Sequence, residues 1–295
     1  MYVERLSVNP SVIKIKPDQL DQLEQLILKN KSAVSENKKG EYEAFRINFA
    51  GESIIAYTTG KIVSNGSRAE AIVQTTVLSL DSIKSDIDVI IGSDEAGKGE
   101  WLGPLVIAAV ALTPKQSLIL KSRGVMDSKI IPIERLRKLS GEIESINLAK
   151  KVVMIPPETF NKRFEELHQE GKGLNDLLAW GHSKAIHEIY QGLSSKSRIR
   201  IVIDEFARSK TEERLARLIS LETIELIQRP RAEDEIAVAA ASIIAREERE
   251  KWIDWKSLKL GLDLRELSVE DANKRNDKHT ISKLQYLSKQ AKKAK

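Results

Sequence analysis

Two segments of the sequence end an apolar run on adjacent carboxylates: VIIGSDE brings Asp94 and Glu95, and IRIVIDE brings Asp204 and Glu205. Acids gathered at strand ends repel one another and resist leaving water, so a cluster is stable only if protonated, paired with cations or bound to metal. Other ligand types are scarce. The chain has no cysteine, and its four histidines (His168, His182, His187, His279) show neither an HxxxH nor an HExxH spacing. That excludes disulfides, zinc thiolates, iron–sulfur centres and a cysteine nucleophile, and makes a histidine-built metal site unexpected. Oxygen donors alone suit Mg2+ or Mn2+. For one Asp a solvated strand end is the simpler account; the same pattern on two strands moves the reading toward a metal site.

The first acidic pair runs into a loop holding Gly97, Lys98, Gly99 and Gly103. A backbone that must approach a polyanion with its N–H groups turned outward favours residues without Cβ, and Lys98 adds a cation. The tripeptide is a weak signal by itself. It has neither the GxxxxGK[ST] spacing of a P-loop nor the GxGxxG of a dinucleotide fold.

The elements that must position these groups follow from periodicity. Residues 17–30 place Leu20, Leu23, Ile27 and Leu28 at helical spacing behind Pro17, and EYEAFRINFAG, ESIIAYTTG and KIVSNG read as a β-meander punctuated by Gly51, Gly60 and Gly66. A helix over 67–80 and the polar DSIKSD follow, which sets a domain boundary near residues 81–87, giving domains 1–85 and 86–295. Beyond it, strands at 89–95, 104–112, 150–155 and 199–203 alternate with helices at 132–145, 157–168, 174–190, 212–218 and 236–252, the pattern of an α/β layer. IAVAAASIIA at 236–245 is small and apolar throughout and reads as a buried helix packed tightly on the sheet. Trp180 reads as core rather than as a stacking surface, with Trp101 left open between the two.

Five ordered motifs make the chain resemble the prokaryotic type 2 ribonucleases H, and among them ribonuclease HIII: GSDEAGKGEWLGPLVIAAV, GVMDSKII at 124–131, LNDLLAWGHSKAI at 174–186, IVIDEFA at 201–207 and RAEDEIAVAAASIIAR at 231–246. AYTTGKIVSNG at 56–66 resembles a strand-turn-strand of that family's extra N-terminal domain. The resemblance implies a ribonuclease H-like α/β fold with a central mixed sheet flanked by helices, plus a small N-terminal α+β domain resembling the TATA-binding protein fold. It implies endonucleolytic cleavage of the RNA strand of RNA/DNA hybrids to 5′-phosphate and 3′-hydroxyl ends. It also implies two divalent ions, Mg2+ or Mn2+, held by Asp94, Glu95, Asp204 and Glu233. Asp234 and Glu235 stand as substitutes for Glu233, while Glu205, on the opposite face by strand alternation, is read as structural. Substrate contacts implied by the motifs are Gly97, Lys98 and Gly99, then Ser128 and Lys129 beside Asp127, and Asn175, which reads equally as a helix cap.

The net charge of +5 is local: from Lys274 to Lys295 eight Lys/Arg face one acid, Asp277. This tail reads as a frayed, solvated helix or, at even odds, as a phosphate contact. Without an eighteen-residue apolar run or a signal-peptide pattern in MYVERLSVNP, a cytoplasmic protein with no membrane contact is expected, acting as a monomer on RNA/DNA hybrid. Two other functions stay open, namely cleavage at single ribonucleotides embedded in DNA and nucleic-acid binding without catalysis.

Overall fold

A computed structural model describes residues 10–84, 87–125, 131–146, 149–204, 208–220, 224–230 and 232–293. The chain divides into two compact units, 1–85 and 86–295.

In the first unit, β1 (Ser11–Lys14), α1 (Leu20–Leu28), β2 (Ala33–Glu36), β3 (Glu43–Phe49), β4 (Glu52–Tyr57), β5 (Lys61–Asn65) and α2 (Ser67–Lys84) follow one another. The strands form one antiparallel sheet in the order β1-β5-β4-β3-β2. Alternation decides the faces: Phe45, Ile47, Ile54, Ala56 and Ile62 point one way and pack against Leu23 and Ile27 of α1 and Val73 and Leu80 of α2. The opposite face carries Arg46, Ile55, Tyr57 and Val63, all only partly buried. The meander and both helices are where periodicity puts them. The four-residue edge strands β1 and β2 were not read, because SVIK and AVSE are too short to show an alternation of their own.

The second unit contains β6 (Val89–Ala96), β7 (Leu105–Leu112), α3 (Pro114–Ser122), α4 (Ile133–Ser145), β8 (Ala149–Ile155), α5 (Pro157–Gln169) and α6 (Leu174–Tyr190). It continues with β9 (Ile199–Asp204), α7 (Arg208–Ala216), β10 (Ile224–Arg229), α8 (Ile236–Leu260), α9 (Val269–Lys274), α10 (Lys278–Ile281) and α11 (Leu284–Lys293). Its sheet runs β10-β9-β6-β7-β8; the β6-β7 and β7-β8 pairs are antiparallel, and β9 and β10 lie parallel to β6 and β9. The expected mixed sheet flanked by helices is therefore present. Among the described residues no helix is long and apolar enough to cross a membrane.

Each sheet face has its own core. Val106, Ala108, Val110 and Val202 pack with α8, α4 and α3; Ile91, Ile107, Ile201 and Ile203 pack with α5, α6 and α7. With both faces covered, every residue of β7 is buried. The small residues of α8 answer a matching gap in β6. A Cβ on Gly92 would stand 2.1 Å from the main-chain carbon of Ala237, so helix and strand touch backbone to backbone. The helix is longer than its apolar stretch suggests: it runs past Arg246 and ends where Gly261 turns left-handed at φ 66°.

The reading of the C-terminal segment as a frayed tail is overturned. Ile281 and Leu287 are buried, and Lys283 is fully so. The lysine-rich composition hid an amphipathic stripe, and the segment is part of the second unit's body.

Gly92→Ala is expected to destabilise the protein by about 3 kcal/mol or more, because backbone cannot retreat as a side chain can. Gly141→Ala, at an open helical position with nothing within 4 Å, should stabilise it by about 0.5–1 kcal/mol. Denaturant melts of the two variants check this; a Gly92→Ala protein as stable as the parent contradicts the contact.

Candidate active site

The register of β6 on β9 builds the site. The strands are parallel with Ser93 beside Ile203, so the next residues, Asp94 and Asp204, follow where this pairing stops, on one sheet face, the face that α8 covers. In open α/β sheets such carboxyl ends line the crevice where ligands bind. Asp94 is 7% exposed and accepts from the Glu95 amide at 2.8 Å. Burial, with Glu95 and Asp204 beside it, pushes its carboxyl up to about 7, although a hydrogen bond from Ser242 on α8 opposes this. Asp204 Oδ1 receives the Ala232 amide at 3.5 Å, which draws the 3-10 turn Ala232–Asp234 to the end of β9. Glu233 lies in that turn; its side chain is outside what the structure describes. Asp234 turns outward onto Arg229 and is mostly exposed. Glu235 is the N-cap residue of α8 through its main chain, its carbonyl accepting from Val238 and Ala239 with no cap bond from the side chain.

Alternation sends Glu95 to the other face. There its Oε2 lies 3.1 Å from His182 Nε2, and its Oε1 pairs with the Lys98 ammonium at 3.0 Å. Burial alone would raise Glu95, but the hydrogen bond and charge of His182, with Lys98 behind them, hold it down to about 2. Hydrogen-bond capacity fixes how the ring is used. Ser93 Oγ donates its only proton to the Ala108 carbonyl at 2.8 Å, so His182 Nδ1, 2.7 Å away, must donate to Ser93. Nε2 is then the ring atom left to face the Glu95 carboxylate.

Sequence reasoning passed over His182 because no metal spacing involves it. Its signal was its place on the apolar stripe of α6, with Leu178, Ala185, Ile186 and Ile189. A histidine there, fully buried, must find polar partners.

The loop is held from below. Gly97 has φ 84° and Gly99 φ 77°; a Cβ on Gly97 would strike the Pro104 carbonyl at 2.3 Å, whereas at Gly99 the space is open. Lys283 Nζ donates to Gly103 O at 2.6 Å, its amide donates to Trp101 O at 2.8 Å, and Arg249 Nη2 donates to Leu102 O at 3.1 Å. Burial, with Arg249 nearby, pushes the Lys283 ammonium down to about 7.

The remaining expectations divide. Ser128 and Lys129, with Asp127 and Glu205, lie outside the described residues. Asn175 is exposed in the first turn of α6 but does not cap it; Gly173 is the N-cap residue, and its amide donates to Asp176 Oδ2 at 3.0 Å. Trp180 is not core: it is 40% exposed, with the Lys184 ammonium 5.4 Å from its ring centroid.

Among the described residues no three acids or histidines gather closely enough to hold a metal ion. Asp94 and Asp204 nonetheless fit one: two hard oxygen donors, one of them buried, with the cations nearest by register already paired elsewhere, Lys98 on Glu95 and Arg229, opposite Asp204, on Asp234.

Residues 91–293 match the family described as Ribonuclease HII. Ribonuclease HIII of Protochlamydia amoebophila (strain UWE25) is 34% identical over 215 residues, 70% of this chain and 68% of that protein. Ribonuclease HIII of Chlamydia trachomatis serovar D is 35% identical over 203 residues, 66% of this chain and 65% of that one. Two crystal structures share the fold. Bst-RNase HIII in complex with Mn2+ has a TM-score of 0.59 at 24% identity, covering 97% of this chain and 99% of that one. Aquifex aeolicus RNase H3 has a TM-score of 0.54 at 20% identity, covering 94% and 100%. The chain belongs to the ribonuclease HII family of ribonuclease H hydrolases, and the two relatives compared above are ribonucleases HIII.

Asp94 generates a pH-dependent prediction. With its carboxyl raised in the folded protein, the folded state holds a proton that the unfolded state loses near pH 4, so stability falls as pH rises from about 4 to about 7. In EDTA, Asp94→Asn should therefore melt higher than the parent at pH 8, by about 3 °C or more, with the gain vanishing near pH 4. A gain independent of pH, or a loss at pH 8, contradicts the burial of an uncompensated carboxylate.

Proposed function

We propose that the protein hydrolyses the RNA strand of RNA/DNA hybrids endonucleolytically, leaving 5′-phosphate and 3′-hydroxyl ends, with Asp94, Glu95, Asp204 and Glu233 as ligands of two divalent ions, Mg2+ or Mn2+. The observation that carries this reading is the buried Asp94 beside Asp204 at the strand ends of a ribonuclease H fold, short of a cation. When bound, the ions supply Lewis acidity at the attacking and leaving oxygens of an in-line displacement. The chain's own groups then divide the work. His182 and Ser93 fix the Glu95 carboxylate from behind, so that it does not reorganise as charge develops. Lys98 neutralises Glu95 in the free protein and, being partly exposed, can be drawn onto a substrate phosphate. The amides of Gly97 and Gly99 read the 2′-hydroxyl, the only group that distinguishes RNA from DNA locally. Ser128, Lys129 and Asn175 contact the strands further out.

The first unit resembles the TATA-binding protein fold in this reading and holds the hybrid, raising its effective concentration at the acids. Support comes from its sheet, covered by helices on one face and leaving Tyr57 and Val63 partly exposed on the other, where Arg46 is paired with Glu43. The protein acts as a cytoplasmic monomer.

The test is cleavage of end-labelled RNA/DNA hybrid, RNA/RNA and single-ribonucleotide duplexes with Mg2+, Mn2+ or EDTA. Hybrid should be cut only with metal. Asp204→Asn and Glu233→Gln should lower the rate at least about a hundredfold while hybrid binding persists, and Asp234→Asn should stay within a few-fold of the parent. Preference for the single ribonucleotide would reassign the substrate; Asp204→Asn activity near the parent's would remove the catalytic assignment. Removing residues 1–85 should weaken hybrid binding much more than it slows cleavage at saturation.

A further inference from the structure

A second cleft lies away from the acids, between α6 and the α7 region. It encloses about 280 Å3 and is lined by Trp180, Ser183, Lys184 and His187 of α6 with Arg214 and Arg217. The helical repeat explains the arrangement: positions 180, 184 and 187 form one stripe along α6, and 214 and 217 are one turn apart opposite it. No carboxylate lines the cleft. The nearest acid of α6 on the far side of Trp180, Asp176, is already bonded to Lys210 at 2.7 Å. Among the described residues neither Arg214 nor Arg217 has an ion pair within 4 Å, though Arg214 also borders the adjoining cavity that Glu166, Glu170 and Asp176 line, and Lys184 reaches Glu188 only at 4.0 Å.

Two further atoms point to a ligand. Ser183 is 2% exposed and its Oγ has no hydrogen-bond partner among the described residues; the same holds for His187 Nδ1. A buried polar atom left unpaired costs about 1–3 kcal/mol, so a hydroxyl and a ring nitrogen orphaned in one cleft call for something that bonds both. Two arginines with no close ion pair, and a lysine held only by a stretched one, select an anion, and guanidinium groups in particular match phosphate. The wall beside them is a half-exposed indole whose face already accepts a cation, a surface on which a flat base stacks.

We propose that this cleft is a second nucleotide site, which takes one phosphorylated nucleoside unit with its phosphate on Arg214, Arg217 and Lys184 and its base against Trp180. Lys184 leaves the ring face for the phosphate as the base arrives, and Ser183 and His187 bond the sugar or the phosphate ester. The unit comes either from a free nucleotide or from a nucleotide within a single strand; the recognition chemistry is shared. The site is independent of the acids, since His182 uses the opposite side of α6 to hold Glu95.

The experiment measures tryptophan emission and calorimetric binding with adenosine 5′-monophosphate, inorganic phosphate and a short oligothymidylate, in EDTA so that no metal at the acids contributes. For the full chain, the monophosphate or the oligonucleotide should bind at least tenfold more tightly than inorganic phosphate and quench emission. Arg217→Gln, an exposed change that the fold tolerates, should weaken that binding at least fivefold, and Trp180→Phe should remove the quench. Hybrid cleavage at saturating substrate should be unchanged in Arg217→Gln. Binding of the monophosphate identifies a free nucleotide as the source; a response confined to the oligonucleotide identifies a strand. The proposal is overturned if inorganic phosphate binds as tightly as both, or if Arg217→Gln leaves both affinities intact. Neither outcome bears on the acid site, whose failure would show in cleavage alone.

Discussion

Asp94 and Asp204 follow directly where the parallel pairing of two neighbouring strands stops, on one sheet face, and like charges so placed, one of them buried, repel. Much of the second unit can be understood as the framework that holds them there against that repulsion. Parallel pairing of β6 with β9 sets the register, and a slip of one residue would turn one carboxylate to the opposite face. The backbone contact between Gly92 and Ala237 fixes α8 against β6, and with it Ser242 against Asp94 and the turn carrying Glu233 against Asp204. Close packing makes the arrangement stiff, and stiffness keeps the acids from relaxing apart.

The two acids of the first motif are adjacent in sequence yet solve different problems. Asp94 has too little compensation and Glu95 has ample, from His182 and Lys98. Two carboxylates whose surroundings push them in opposite directions are a common mark of functional sites. The glycine loop between β6 and β7 is tied to the same frame through Lys283 and Arg249, so the C-terminal segment, remote in sequence, supports the loop that carries Lys98.

Much of this was legible in the sequence, for identifiable reasons. The helix over 174–190 and the strands ending on Asp94 and Asp204 declare themselves by period and by the abrupt change from apolar to acidic. The two-domain division follows a polar stretch. What escaped notice depended on distant partners. His182 looks unremarkable until the fold sets Glu95 and Ser93 against it. Trp180 sits within an apolar helix but on its outward side, where one residue's shift in phase decides between core and surface. The C-terminal helices were hidden by their lysine-rich composition, and Lys283, wholly buried, is held there by main-chain carbonyls.

The account stands on the shortage of positive charge at Asp94 and Asp204. Binding of Mn2+ followed by electron paramagnetic resonance tests it most directly, in the parent and in Asp94→Asn, Asp204→Asn and Asp234→Asn. The parent and Asp234→Asn should take up the ion alike, and the first two variants should bind it at least tenfold more weakly. Equal Mn2+ binding by all four proteins would contradict the account.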